Sequence, residues 1–319
     1  MAQEGVSNQI SIGVQSAFGS DATPTVSIPI RPSDGMNARQ DTIELEAINT
    51  KPAKAKCLAA GVRTFEGAFD LNAYPNAIGY FLLSALGAVD TNQVGASDAY
   101  THDFTESVAK TPLTIEQKDG VVTKRYVDSV AGGFKISSKV GEAVVFSSPI
   151  VAKSKMDDET AIASAYESSC PFNWAHFTYV KIGGVDIKAH VQDIEVEYAN
   201  EASVFHALGD VNPAGSYVKQ STAKGKMTMY LDDDTKAYLD SLIDGTEAEF
   251  TFQLQGDEID SASSEGLIVT LPKTKFTKVE TKLDFDVNMV TVEFEGREDA
   301  TDGLITAQLT NTTTSYAAV

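Results

Sequence analysis

The segment Ile194-Glu195-Val196-Glu197-Tyr198 alternates apolar and acidic residues, the pattern of a β-strand with one buried and one polar side. Similar period-two runs recur at residues 26–30, 43–46, 113–116, 134–136, 182–185, 227–230, 250–254 and 287–294. Turn-forming pairs separate many of them, namely Asp119-Gly120, Gly132-Gly133, Gly183-Gly184, Asn212-Pro213 and Gly256-Asp257. The sequence therefore predicts a mainly β protein built of antiparallel sheets with one polar face.

Two short segments interrupt this pattern and predict helices. In the first, Pro75 suits an opening turn, Tyr80, Leu83 and Leu86 share a face, and Gly87 suits the end. In the second, Asp233 or Asp234 would cap the start, and Gly245 would end a helix whose apolar face comprises Tyr238, Leu239, Leu242 and Ile243. Each predicted helix follows one strand and precedes another.

The two helical segments belong to an internal repeat. Gly67, Tyr80 and Gly87 match Gly225, Tyr238 and Gly245 at one offset, and the Ile-Glu runs at 43–46 and 194–197 match at a slightly smaller one. We predict two tandem β-sandwich domains, each with a short helix. Residues 1–160 would hold an N-terminal arm and a loop insertion near 89–111, and residues 161–319 would end in a polar tail. Two unrelated β-rich halves are the alternative.

Composition limits the partners of the chain. Its 25 basic and 45 acidic residues give a net charge of −20, which disfavours ordinary nucleic-acid binding. No apolar run approaches the roughly 20 residues of a membrane span, and the first residues lack a signal-peptide pattern, so we expect synthesis in the cytoplasm and no membrane partner. Cys57 and Cys170 lack metal-ligand spacing and are expected to be reduced and buried.

No local motif indicates catalysis or a cofactor. His102, His176, His190 and His206 are isolated, and the hydrolase and nucleotide-binding motifs are missing from the sequence. The run Asp232-Asp233-Asp234 favours a helix cap over a calcium loop, and Asn311-Thr312-Thr313 favours a polar tail over a glycosylation site. Trp174 favours a core or interface position over ligand stacking. We therefore predict no enzyme, no catalytic, metal or cofactor-binding residue, and no cofactor.

Four stretches, taken in order, resemble the major tail tube proteins of long-tailed, siphovirus-type bacteriophages. They are residues 12–19 with 22–25, residues 67–71 leading to 79–87, residues 100–104 leading to 113–117, and residues 171–174 before 180–184. The resemblance implies a virion protein assembled in the host cytoplasm. It also implies a β-sandwich whose inner sheets join between subunits into a barrel, in hexameric rings or, for duplicated chains, in trimeric pseudo-hexameric rings.

The same resemblance implies the partners and the role. Stacked rings would form a hollow conduit for DNA delivery, with tape measure, tail tip and tail terminator proteins as neighbours, and genomic DNA would pass through the lumen without specific binding. The acidic surplus would suit a lumen that repels phosphates. Six glutamates that alternate with apolar residues are candidates for the polar face: Glu44, Glu46, Glu195, Glu197, Glu293 and Glu295.

Some segments and functions stay open at this stage. Residues 31–39 and 89–99 are polar or Gly-rich and are expected to be loops that order on stacking. The tube of a contractile or gene-transfer particle shares the expected fold. A β-sandwich binding or decoration protein is a different class, and an enzyme with a site assembled from distant residues is the remaining alternative.

Overall fold

The computed structural model describes residues 8–33, 35–46, 55–120, 122–156, 165–231, 247–282 and 288–317. In chain order the elements are β1 Asn8–Val14, β2 Val26–Ile28, β3 Gly35–Glu46, β4 Ala55–Asn72, α1 Ile78–Leu86, β5 Gly87–Gln93, β6 Tyr100–Glu106, β7 Leu113–Asp119, β8 Thr123–Ala131, β9 Gly133–Lys139, β10 Val145–Ala152, β11 Ser154–Met156, β12 Ala165–Tyr166, β13 Phe177–Ile182, β14 Val185–Asp186, β15 Val191–Ala199, β16 Ser203–His206, β17 Pro213–Tyr217, β18 Thr222–Tyr230, β19 Ala248–Asp260, β20 Ser263–Lys282, β21 Met289–Arg297 and β22 Thr306–Asn311. Two short 3-10 helices, Trp174–His176 and Lys188–His190, complete the described elements. The prediction of a mainly β fold is confirmed.

The central feature is a run of eight antiparallel strands in the order β3-β4-β10-β9-β15-β18-β21-β20. One side of it carries buried apolar side chains such as Ile136, Val196, Met227 and Phe294. The opposite side carries polar and charged residues, as alternation along the strands requires. We call these eight strands the inner sheet and its charged side the polar face.

The inner sheet contains the same strand order twice. The first four strands, β3-β4-β10-β9, and the last four, β15-β18-β21-β20, occur in the same sequence order within each set. Gly67 and Gly225 each lie on the second strand of a set. A Cβ at Gly67 would overlap the backbone of β3, and a Cβ at Gly225 would overlap the ring of Phe294 on β21. The Ile-Glu runs do not correspond: Val196 pairs with Gly225, whereas Met36, not Leu45, pairs with Gly67.

Two further layers cover the apolar side. Near the first four strands lies a sheet ordered β11-β8-β7-β1-β2-β12, and the rings of Phe65 and Tyr126 pack edge to face between the layers. Near the last four lies a sheet ordered β14-β13-β19-β20-β22-β6-β5, which uses the first part of β20. Its two last strands come from the first half of the sequence.

Helix α1 is buried on every side, rather than on the single face that its sequence predicts. Gly87 ends it in a left-handed conformation, as predicted, with φ of 105°. The side chain of Asn200, from the second half of the chain, donates to the carbonyls of Ala85 at 2.9 Å and Ala131 at 3.1 Å. The end of α1 is thereby tied to the inner sheet. The second predicted helix and Asp232-Asp233-Asp234 lie outside the described residues.

Several local predictions are wrong. The predicted N-terminal arm does not include residues 8–14, which form β1 between β2 and β7 with Ile10 and Ile12 facing the core; residues 1–7 lie outside the described part. Strand β3 begins at Gly35, within the expected loop 31–39, and residues 89–111 contain the paired strands β5 and β6 rather than a loop insertion. Gly256-Asp257 lies at an irregularity inside β19 instead of a turn. The boundary near residue 160 falls outside the described residues and stays a prediction.

Candidate assembly surfaces

The two outer strands of the inner sheet each have an edge without a described partner strand. On one side, β3 pairs with β4 alone among the described strands. On the other, residues 275–282 of β20 pair with β21 alone among the described strands, because the pairing of β20 with β19 ends where Thr274 lies opposite Ala248, the first residue of β19. Exposed edges are templates for strand addition, so the described part of the chain presents two places where another copy can pair.

The start of the β3 edge is closed by side chains from the neighbouring layer. The backbone N–H of Met36 donates to Gln117 Oε1 at 2.8 Å, and the Tyr126 hydroxyl donates to the carbonyl of Met36 at 3.0 Å. The backbone N–H and carbonyl of Met36 thus point away from β4. Because this direction repeats every two residues along a strand, the N–H and carbonyl of Ala38 also point away from β4. The part of the edge available to another strand therefore starts at Ala38.

The polar face carries three adjacent rows of residues across β9, β15, β18, β21 and β20. The pairing registers define the rows as Lys139-Asp193-Thr228-Thr291-Glu280, Ser137-Glu195-Lys226-Glu293-Lys278 and Lys135-Glu197-Lys224-Glu295-Lys275. Within two of these rows acid and base alternate from strand to strand. The three rows contain six lysines and six acids, a formal charge of zero. We call them the charge ladder.

Distances within the charge ladder agree with its registers. Nζ of Lys135 lies 2.8 Å from Glu195 Oε2, Nζ of Lys278 lies 2.7 Å from Glu280 Oε1, and two wider pairs join Lys224 to Glu295 at 3.8 Å and Lys226 to Glu293 at 4.0 Å. Of the predicted polar-face glutamates, Glu195, Glu197, Glu293 and Glu295 lie here. Each of these glutamates lies opposite a lysine, so the part of the polar face that the charge ladder covers is not acidic.

The far part of the β3–β4 hairpin is exposed on both sides. Ile43 pairs with Ala59 on one side and Glu44 with Leu58 on the other, and the side chains of Ile43 and Leu58 are 51% and 68% exposed. At its base, the β16–β17 hairpin contacts Arg63, whose N–H donates to the Val211 carbonyl at 2.7 Å. Apolar residues on both sides of a projecting hairpin are typical of a contact surface. The side chain of Glu46 lies outside the described part.

The C-terminal segment is anchored in the core instead of forming a polar tail. Asn311 is fully buried at the end of β22 and donates to the Pro75 carbonyl at 2.8 Å and to the Tyr316 hydroxyl at 2.7 Å. Tyr316 is also fully buried and donates to the Asn76 carbonyl at 3.0 Å. A buried, bonded Asn311 amide is closed to glycosylation, and the segment closes over the start of α1.

The four histidines lie apart and serve local structure. His102 is buried between Thr91 Oγ1, at 2.9 Å, and Asn311 Oδ1, at 3.1 Å, and burial lowers its pKa. His176 bonds within the turn at Asn173, and His206 Nε2 lies 2.8 Å from the Arg63 carbonyl. His190 ends a 3-10 helix. Among the described residues, no three acidic, histidine or cysteine side chains form a set that could hold a metal ion.

A partly enclosed group of acids lies at the start of β20. Glu265 is only 7% exposed, and its Oε2 has no hydrogen-bond partner among the described residues. Burial, together with the negative charges of Asp257 and Glu167, raises the pKa of the Glu265 carboxyl to about 7. This carboxyl is protonated far more readily than an exposed one, a property that its sequence context did not predict.

Trp174 and Cys170 are more exposed than predicted. Trp174 is 46% exposed and lines a cavity of about 410 Å³ with Phe177, Val180, Lys188 and Val191. It is therefore not a core residue, and an interface position stays a prediction. Cys170 is an exposed free thiol, so its predicted burial is wrong. The side chain of Cys57 lies outside the described part.

Comparison with known proteins gives this architecture its identity. The model of the phage tail tube protein family matches residues 5–312. The chain belongs to the phage tail tube protein family. A search of curated proteins gave no match.

Family membership decides the class of function. A tail tube protein is a structural component of the virion tail, not an enzyme, and it assembles into a tube with other tail proteins. None of the helices in the described part of the chain is long and apolar enough to cross a membrane. The surfaces of interest in a tail tube protein are therefore its edges and faces.

Proposed function

We propose that this tail tube protein forms rings whose inner sheets join edge to edge, and that the rings stack into the DNA-delivery conduit of a long-tailed, siphovirus-type phage. The β9–β15 pairing supports this proposal most directly. There the fourth strand of the first set pairs with the first strand of the second, from Gly133 opposite Ala199 to Lys139 opposite Asp193. The chain thus contains one example of the junction that a ring needs.

The open edges occupy the corresponding positions. Strand β20 is the fourth strand of the second set and β3 is the first strand of the first, so β20 of one copy would pair with β3 of the next. Such a junction uses two different surfaces, and repeated heterologous contacts close into a ring when the rotation allows it. It also removes both open edges at once.

The doubled strand order favours three copies per ring. If residues 1–160 and 161–319 are two tandem tube domains, three chains supply the six units that the family resemblance implies. A ring of six chains is the alternative arrangement. Tape measure, tail tip and tail terminator proteins would be the neighbours of the stacked rings, and genomic DNA would pass without specific binding.

Electron microscopy tests the proposal. Concentrated full-length protein, alone or with purified tail tips, should form hollow rings or tubes in negative stain, and averaged end views should show three-fold symmetry with six similar lobes. Compact particles under both conditions would contradict it and favour a binding or decoration protein. A contracting sheath in the source particle would assign the tube to a contractile machine.

A further inference from the structure

We propose that the charge ladder masks its own lysines, so that the polar face passes duplex DNA without holding it. This inference rests on the proposed function, because only a conduit would bring the polar face against DNA. The whole chain carries a charge of −20, yet the charge ladder carries none. The excess acid of the protein therefore lies outside the charge ladder, and simple repulsion does not describe this part of the polar face.

The lysines of the charge ladder are accessible enough to bind phosphate if their partners were removed. The side chains of Lys224, Lys226 and Lys278 are 59%, 51% and 48% exposed. Lysine is a general phosphate ligand, and each phosphate that it neutralises releases counterions and strengthens binding. Six such side chains on one face would form a binding surface for a polyanion.

The two glutamates of the middle row, Glu195 and Glu293, suppress that binding because of where they lie. Glu195 lies opposite Lys226 on β18 and 2.8 Å from Lys135 on β9, while Glu293 lies opposite both Lys226 and Lys278. A phosphate approaching these lysines meets a carboxylate of the next strand at similar distance. Attraction and repulsion alternate over about 5 Å, the spacing of neighbouring strands, so they largely cancel at the DNA surface.

A DNA-binding measurement on the full-length, dissociated protein tests this masking. The ladder variant changes Glu195, Glu197, Glu293 and Glu295 to Gln, and the control variant changes the exposed residues Glu142, Glu247, Glu249 and Glu258 to Gln. Each variant loses four negative charges, so the two have the same net charge. Binding of a short fluorescent DNA duplex is measured by anisotropy at several salt concentrations, and a thermal melt verifies folding of each protein.

The expected result is a difference between variants of equal net charge. Wild type and the control variant should not bind measurably at low salt. The ladder variant should bind with a Kd at least about tenfold below the weakest Kd that the assay detects. The slope of log K, with K the association constant, against log salt should be about −2 to −4, because each neutralised phosphate contributes about −0.9. The pairwise variant E195Q/E293Q serves if four changes prevent folding, with E142Q/E258Q as its control.

Two outcomes would overturn the inference. If the ladder variant binds DNA no better than the control, the glutamates do not mask the lysines. If wild type itself binds tightly, the lysines are not masked. Neither result depends on tube formation, which electron microscopy of the same wild-type protein reports separately, so a failed tube and a failed ladder are distinguishable.

Discussion

Tyr316 lies against Gly79 of helix α1, so close that a methyl group at position 79 would overlap the Tyr316 ring. The contact joins the last described residues of the chain to its one described α-helix. The ring of Tyr316 also meets Tyr80 and His102 edge to face, with centroids 4.9 and 4.7 Å apart. The glycine is needed here for close approach, since Gly79 sits inside a helix where alanine is otherwise preferred.

Replacing Gly79 with Ala should destabilise the protein. Helix propensity would favour Ala by about 1 kcal/mol, but displacing a fully buried ring from a packed core costs about 3 kcal/mol, so we expect a net loss of about 2 kcal/mol. Urea denaturation measures it. Gly266→Ala is the control, because a Cβ there has no neighbour closer than 3.6 Å. Equal stability of the two variants would contradict the packing argument.

Replacing Asn311 with Ala should cost about 2 to 4 kcal/mol of unfolding free energy. The change removes two donated hydrogen bonds and leaves the buried Pro75 carbonyl and His102 Nε2 without this partner. Thr312→Ala is the matched control at the adjacent exposed position and should change stability by less than about 0.5 kcal/mol. A small effect at both positions would show that the C-terminal segment is not anchored through Asn311.

Glu265 should make the protein less stable as pH rises from about 4.5 to 7. In that window the folded state keeps a proton on Glu265, whose pKa is about 7, while the unfolded state, with its ordinary pKa of 4.5, releases it. Glu265→Gln should therefore be about 2 to 3 kcal/mol more stable than wild type at pH 8 and nearly equal to it at pH 4. Urea melts at both values measure this.

The matched control for Glu265 is Glu258→Gln, an exposed change on the neighbouring strand. Its stability difference from wild type should not depend on pH over the same range. An identical pH profile for both variants would mean that the Glu265 carboxyl is ionised without cost, and that its burial has no energetic consequence.

Sequence reasoning found the elements that depend on local pattern. Period-two alternation located strands such as the one around Val196, and Gly87 located the end of α1, because both signals lie within a few residues. The pairing of β9 with β15 and of β6 with β22 could not be predicted, since it joins segments far apart in sequence. Asn311 shows the same limit, because a polar residue in a polar segment carries no sign of burial.

The charge ladder was missed for the same reason. The alternating glutamates identified the polar face. The lysines that face them, in Lys224-Gly225-Lys226, lie on a strand that comes later in the chain, after β16 and β17. Only the register shows that Lys224 faces Glu197 on one side and Glu295 on the other. Charge composition alone therefore does not describe the charge ladder, since a chain can be strongly acidic overall while part of one of its faces is neutral.

Replacing Ala38 with Pro should block ring formation without unfolding the subunit. Proline removes the N–H that points away from β4, and its ring obstructs an incoming strand, whereas proline is tolerated on the outer edge of a sheet. We expect a thermal melt close to that of wild type and no tubes in negative stain. Ala38→Ser keeps the N–H and should assemble normally. Tubes formed by the folded proline variant would exclude this part of β3 from the junction between subunits.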